Sequence, residues 1–210
     1  MTSRYLIGNA QMIGRKEVQS NYFATAYNHF GHLLAVLADG NVDHLNGRKA
    51  AKFAVESCIY EFSQDRLQLA DKDDTLETVF GINKRVQELL YMKPTPRLSL
   101  TIAIFAQHEL RFFTVGSNRL FLYNGHNERL IDYDEKSPFF FGKYGLGHKN
   151  VVGIYSVGAH TVTHPMERIK IVECSNDSIS DKAQSIVDTV VAKGLQSQLN
   201  ATALLVEVRK

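Results

Sequence analysis

Nine short stretches rich in β-branched and aromatic residues, most of them parted by tight turns rather than helices, constrain this 210-residue chain more than any other feature. They fall at 5–12, 22–26, 33–38, 100–107, 110–115, 120–123, 129–133, 151–157 and 201–208. Gln107-His108-Glu109 and Asn124-Gly125 are hairpin turns by composition. Strands joined by turns that short run antiparallel, because a parallel pair needs a long crossover. Three stretches have helical periodicity instead. Ala51, Ala54, Val55, Cys58 and Phe62 form one stripe in a segment that starts near Gly47. Leu76, Val79, Ile82, Val86 and Leu90 form a second, which stops before Pro94 and Pro96. A third runs from a Ser180-Asp181 cap through Ala183, Ile186, Val187, Val190 and Val191 to Gly194. With the first two helices inserted as a pair among antiparallel strands, the fold class is α+β, as one domain over 1–210.

Composition excludes several classes of function. Lys plus Arg number 24 against 22 Asp plus Glu, with no run of like charge, so neither nucleic acid nor an anionic membrane is an expected partner. No stretch approaches the roughly 20 apolar residues that span a bilayer, and the first residues lack the apolar core of a secretory signal, which predicts a cytoplasmic location. Cys58 and Cys174 are too few for a disulfide framework or a zinc cluster and are expected as buried small hydrophobes.

The segment Ala38-Asp39-Gly40-Asn41-Val42-Asp43-His44-Leu45-Asn46-Gly47 carries the strongest local signal. An apolar strand delivers Asp-Gly at its tip, and a helix starts a few residues later. Taken alone, Asp39-Gly40 reads as a strand-ending turn and His44 as a structural hydrogen-bonding residue of the loop. Four further stretches change that reading. In chain order they are Lys16 with Gln19-Ser20-Asn21-Tyr22-Phe23, then Ser99-Leu100-Thr101, Val115-Gly116-Ser117-Asn118-Arg119, and Leu199-Asn200-Ala201-Thr202-Ala203. Together they resemble, in order and spacing, the motifs of the metal-dependent (PPM, type 2C) protein Ser/Thr phosphatases of the bacterial type. That resemblance implies a four-layer α-β-β-α sandwich of two antiparallel sheets flanked by helices.

It also implies an active site that this chain has largely lost. Active members hold two Mg2+ or Mn2+ ions between the sheets, and such hard dications demand several carboxylates. The family's first-motif Glu and Asp are here Ser20 and Asn21, and its last Asp is Leu199. The Asp of a Cys-Ser-Asp-Gly stretch falls near Cys174-Ser175-Asn176-Asp177, so that either Asn176 or Asp177 takes its place. Asp39, with the Gly40 carbonyl, is the ligand left intact. Lys16 replaces the phosphate-gripping Arg and reads either as a remnant phosphate contact or, with Arg15, as a solvated hairpin end. Asn41 stands where some members carry a general-acid His.

The expectation is therefore a pseudophosphatase without cofactor or efficient catalysis. It would act as a binding module toward a protein partner such as a phosphoprotein, a Ser/Thr kinase or a phosphopeptide-binding domain. The competing expectation is an active phosphoserine/phosphothreonine phosphatase with one Mg2+ or Mn2+ on Asp39 and Asp177, with Asp43 as a further ligand.

Three other features have simpler readings. His160 and His164, if on one strand, stand about 13 Å apart, too far for one zinc ion. Asp71-Lys72-Asp73-Asp74 caps the second helix, with Asp74 as the capping residue. Phe139-Phe140-Phe141-Gly142-Lys143-Tyr144 sits in a surface loop over 134–150, either packed under that loop or exposed as a docking surface.

Overall fold

Alternation along the strands sends one set of side chains between two sheets and the other set outward under helices. The structure is a computed structural model and describes residues 4–40, 45–90, 98–132 and 139–209. One sheet contains β1 (Tyr5–Met12), β10 (Ala201–Val208), β9 (Val151–Tyr155), β6 (Arg119–Asn124) and β7 (Asn127–Leu130), in that spatial order. The other contains β2 (Asn21–Tyr27), β3 (Leu33–Asp39), β4 (Ser99–Ala106), β5 (Glu109–Val115) and β8 (Phe139–Gly145). Every pairing is antiparallel.

Strand β3 shows why the layers form. Leu33, Ala35 and Leu37 pack into the core between the sheets, while Leu34, Val36 and Ala38 pack under α1 (Leu45–Ser63) and α2 (Lys72–Leu90). With both faces covered the strand is apolar throughout and wholly buried. On the far side, α5 (Ile179–Ala192) lays Ala183, Ile186, Val187 and Val190 on β1 and β10. The short α3 (Val157–His160) and α4 (Pro165–Glu173) complete that layer. The result is the expected α-β-β-α sandwich.

Several boundaries differ from the sequence expectation. Phe139–Gly145 is an edge strand rather than part of a loop, paired along its whole length with β5. Its rings split between the two cores: Phe140 and Tyr144 pack between the sheets, and Phe139 and Phe141 pack toward α1 and α2. A docking surface made of exposed rings is therefore not what this run forms. The His160–His164 segment is helical and capping rather than extended, because Pro165 starts α4 and the His164 side chain caps it. Helices α3 and α4 went unforeseen because each is too short to show a helical period. The cap of α5 is Ser178, in a capping box with Asp181, not Ser180-Asp181. Asp71, not Asp74, caps α2, its Oδ1 accepting from the Asp74 N–H at 3.0 Å. Cys58 is buried, but Cys174, at the C-cap of α4, is only half-buried. Asn41, Asp43, His44 and the Pro94–Pro96 stretch lie outside the described residues.

Candidate functional site

The core between the sheets turns polar at one end, where β3 finishes. Asp39 is the last residue of β3, opposite Asn21 on β2 and Ser99 on β4. Ser20, Asn21 and Asp39 are all at least nine-tenths buried. The Ser20 hydroxyl donates to Asp39 Oδ1 at 3.1 Å. The Asn21 amide nitrogen faces the same carboxylate, donating to Oδ1 at 3.2 Å and Oδ2 at 3.0 Å, while its oxygen accepts from the hydroxyls of Thr202 and Ser156, both at 3.1 Å. The reverse orientation would press the amide oxygen against two carboxylate oxygens. Gly40 is fixed by space: a Cβ there would lie 2.1 Å from the Gly47 carbonyl oxygen, so only glycine lets the start of α1 close over Asp39.

The opposite sheet feeds the same carboxylate. Gln11 Nε2 donates to the Thr202 hydroxyl at 3.0 Å, and Asn200 Nδ2 donates to Ser20 Oγ at 3.2 Å and to the Val18 carbonyl at 2.9 Å. Asn200 Oδ1 accepts from the Gly14 N–H at 2.9 Å, which pins the β1–β2 connection to the start of β10. Two chains of donors, Asn200 to Ser20 and Gln11 to Thr202 to Asn21, thus converge on Asp39 from the two sheets. Lys16 lies half-buried within the pinned connection. Leu199 borders the site beside α3, since a Cβ on Gly158 would sit 2.3 Å from the Asn200 carbonyl oxygen and 3.0 Å from Leu199 Cβ.

A second group of buried polar residues lines this end of the sandwich. Thr114 and Thr101 share a hydrogen bond at 3.2 Å, and Asn118 donates to the Leu37 carbonyl at 3.2 Å. The Ser117 N–H donates to Ser99 Oγ at 2.9 Å across a turn that Gly116 makes at a φ of 87°. His160 Nε2 lies 2.9 Å from the Ser117 carbonyl, so Nε2 carries the proton; burial pushes its pKa down to about 4. Asp132 is 1% exposed, and burial pushes its pKa up to about 6.

The structure brings Ser20, Asn21, Asp39 and Gly40 together, with Leu199 adjoining, and it sets Asn176 and Asp177 apart. They lie in the turn between α4 and α5, and Asp177 borders a groove with Leu6, Glu207 and Val151. Leu6 pairs with Glu207, whereas Thr202 pairs with Gln11 at the Asp39 end. Five residue steps along β10 separate the two ends, about 16 Å at strand rise. At the Asp39 end, Ser156, which follows β9, reaches the Asn21 amide oxygen at 3.1 Å and the Thr202 N–H at 2.9 Å. Among the described residues, no three His, Cys, Asp or Glu side chains come together as a metal centre requires.

No protein-family model and no curated protein matches the sequence. Solved structures do match the fold. The serine/threonine phosphatase of S. agalactiae superposes with a TM-score of 0.85 at 18% identity, over 98% of this chain and 100% of that one. PppA, described as a key regulatory component of the T6SS in Pseudomonas aeruginosa, gives 0.75 at 16% identity, with 98% of each chain covered. The catalytic domain of the serine/threonine protein phosphatase PstP, solved in complex with two manganese ions, gives 0.80 at 14% identity over 98% of this chain and 99% of that one. The chain has the fold of the bacterial PPM-type serine/threonine phosphatases.

Proposed function

We propose that this protein is a degenerate PPM-type domain, a pseudophosphatase that binds a partner in Ser/Thr phosphorylation signalling and does not turn substrate over. One observation carries the reading. At the end of the sandwich where the fold would hold metal, Asp39 is the one carboxylate at the positions aligned with ligands, and hydrogen-bond donors from Ser20 and Asn21 occupy it. Leu199 fills another position that the resemblance gives to a ligand, with a hydrocarbon in place of an oxygen. Two dications at such a site would face one negative charge, so the residues present do not fit a binuclear centre. Without metal to lower the pKa of water, the phosphorus meets no hydroxide at neutral pH. The expected partner is a phosphoprotein, a Ser/Thr kinase or a phosphopeptide-binding domain in the cytoplasm, with Lys16 of the β1–β2 connection as a remnant phosphate contact. No helix among the described residues is long and apolar enough to cross a membrane.

A specific distance favours a second reading, an active enzyme with one ion. With its amide reversed, Asn21 would place its oxygen 3.0 and 3.2 Å from the Asp39 oxygens. That is close to the spacing of about 3.0 Å between adjacent oxygens on an octahedral Mg2+. Hydrolysis of p-nitrophenyl phosphate and of a phosphothreonine peptide with Mn2+ separates the two readings. The expected rate equals that of buffer for the protein and for Asp39→Ala. Turnover that disappears with Asp39→Ala overturns the pseudophosphatase.

A further inference from the structure

The groove at the opposite end of the first sheet has features of a ligand site that the phosphatase-like end does not explain. It encloses about 660 Å³ between the start of α5, the ends of β1 and β10, and the start of β9. That is the size range of pockets for small organic ligands.

Lys182 is the decisive residue. It is 8% exposed, lines the groove, and its ammonium makes no hydrogen bond or ion pair with any described residue. Its stem packs on the sheet-facing side of α5 beside Ala183 and Ile179, which buries the methylenes and leaves the ammonium open to the groove. Side chains on a helix lean toward its N-terminus, so Lys182 extends toward the first turn of α5. There the N–H groups of Ile179 and Ser180, both in the groove wall, have no acceptor among the described residues, because the Ser178–Asp181 capping box satisfies only its own two. Free N–H groups at the positive end of a 14-residue helix, with an unpartnered ammonium in the same groove, form an anion cradle.

The remaining charges in the groove refine the ligand. Lys149 and Arg209 stand exposed at its rim. Of its three carboxylates, Glu173 is engaged by His126 at 2.6 Å, which leaves Asp177 and Glu207 to accept hydrogen bonds. Leu6, Val151 and Val172 supply an apolar wall. We propose that this groove binds a small organic phosphate of about nucleotide size. Its phosphoryl group sits on Lys182 and the α5 N-terminus, and its hydroxyls donate to Asp177 and Glu207. The site lies a strand length from Asp39 and would let the level of such a compound act on whatever the other end binds.

Thermal shift and calorimetric titration of the full chain with adenosine 5′-monophosphate, ribose 5-phosphate and adenosine test this. Both phosphates raise the melting temperature and adenosine does not. Lys182→Met, which keeps the buried stem, and the surface change Arg209→Ala each weaken phosphate binding about tenfold or more, and Lys182→Arg retains it. Asp39→Ala leaves it unchanged. The proposal is overturned if neither phosphate binds at millimolar concentration, if Lys182→Met folds and binds as tightly as the parent, or if Asp39→Ala abolishes binding. That last result would assign the phosphate to the remnant site instead.

Discussion

The Asn21 amide meets both oxygens of the Asp39 carboxylate, at 3.0 and 3.2 Å, as paired residues of the β2–β3 ladder. The neutral amide supplies positive partial charge at a buried anion. Such a contact contributes stability without needing an ion, and it specifies the consequence of undoing it.

Asn21→Asp places two carboxylates face to face in a buried pocket. Removing the favourable partner and adding a like charge should cost about 2–5 kcal/mol at neutral pH, or roughly 5–15 °C in melting temperature for a chain of this length. Millimolar Mn2+ should restore much of that loss in the variant and leave the parent unchanged. A parent protein that melts higher in Mn2+ would show that Asn21 and Asp39 already hold an ion.

A second buried anion depends on one arginine. Arg168 donates to Glu128 twice, both at 2.6 Å, and to the Thr163 carbonyl at 2.5 Å, with the charged pair only 3% and 4% exposed. Arg168→Met leaves Glu128 buried without its cation and should destabilise by about 3–5 kcal/mol, measured by urea unfolding. Pairing it with Glu128→Gln should recover a large part, because the uncompensated charge is then gone. Equal losses in the single and double variants would show that packing of Arg168 on Phe121, 4.6 Å from the ring centroid, matters more than its charge.

These residues also show what a linear sequence conveys. Asp39-Gly40 was legible because strand, turn and helix follow each other locally, and Asn21 because it keeps its place two residues before Phe23. Ser156 was not, since its place comes from β9 lying between β10 and β6, a neighbourhood no local pattern records. Ser175 and Asp177 line a groove at the other end of that sheet from Asp39. Strand β8 was hidden for a different reason: its rings alternate between two cores, so the segment reads as uniformly aromatic rather than as a period-two strand. Asp132 carried no signal, because an acidic residue after a hairpin is ordinarily solvated.

Asp132 should make the protein less stable as pH rises. Burial holds its carboxyl up to about pKa 6, with the Leu120 backbone, the Arg119 charge and the Thr114 hydroxyl offsetting only part of that effect. Between about pH 4 and 6 the folded protein therefore holds a proton that the unfolded chain has lost. Stability falls across that window by up to about 3 kcal/mol and stays low above it. Asp132→Asn removes the penalty and should be the more stable protein at pH 7 in urea titrations, with the difference vanishing near pH 4. A variant less stable than the parent at pH 7 would mean that the carboxylate is well solvated or paired in solution.

His160 produces the opposite slope over nearly the same range. Burial lowers its pKa to about 4 from the usual 6.5, so between about pH 6.5 and 4 the unfolded chain takes up a proton that the folded protein refuses. Stability from this group is full above about pH 6.5 and is lost as pH falls, again by about 3 kcal/mol. The two groups sit within the field of the same Arg119 and their slopes nearly cancel, so the parent should be almost insensitive to pH over this window through this pair. Single substitutions expose each half. With Asp132→Asn, His160 acts alone and the unfolding free energy should climb steeply from pH 4 to 6.5. His160→Gln keeps an N–H for the Ser117 carbonyl and leaves Asp132 alone, so the free energy should decline instead. Slopes of the same sign in the two variants would rule out this pairing of buried acid and buried base at the polar end of the sandwich.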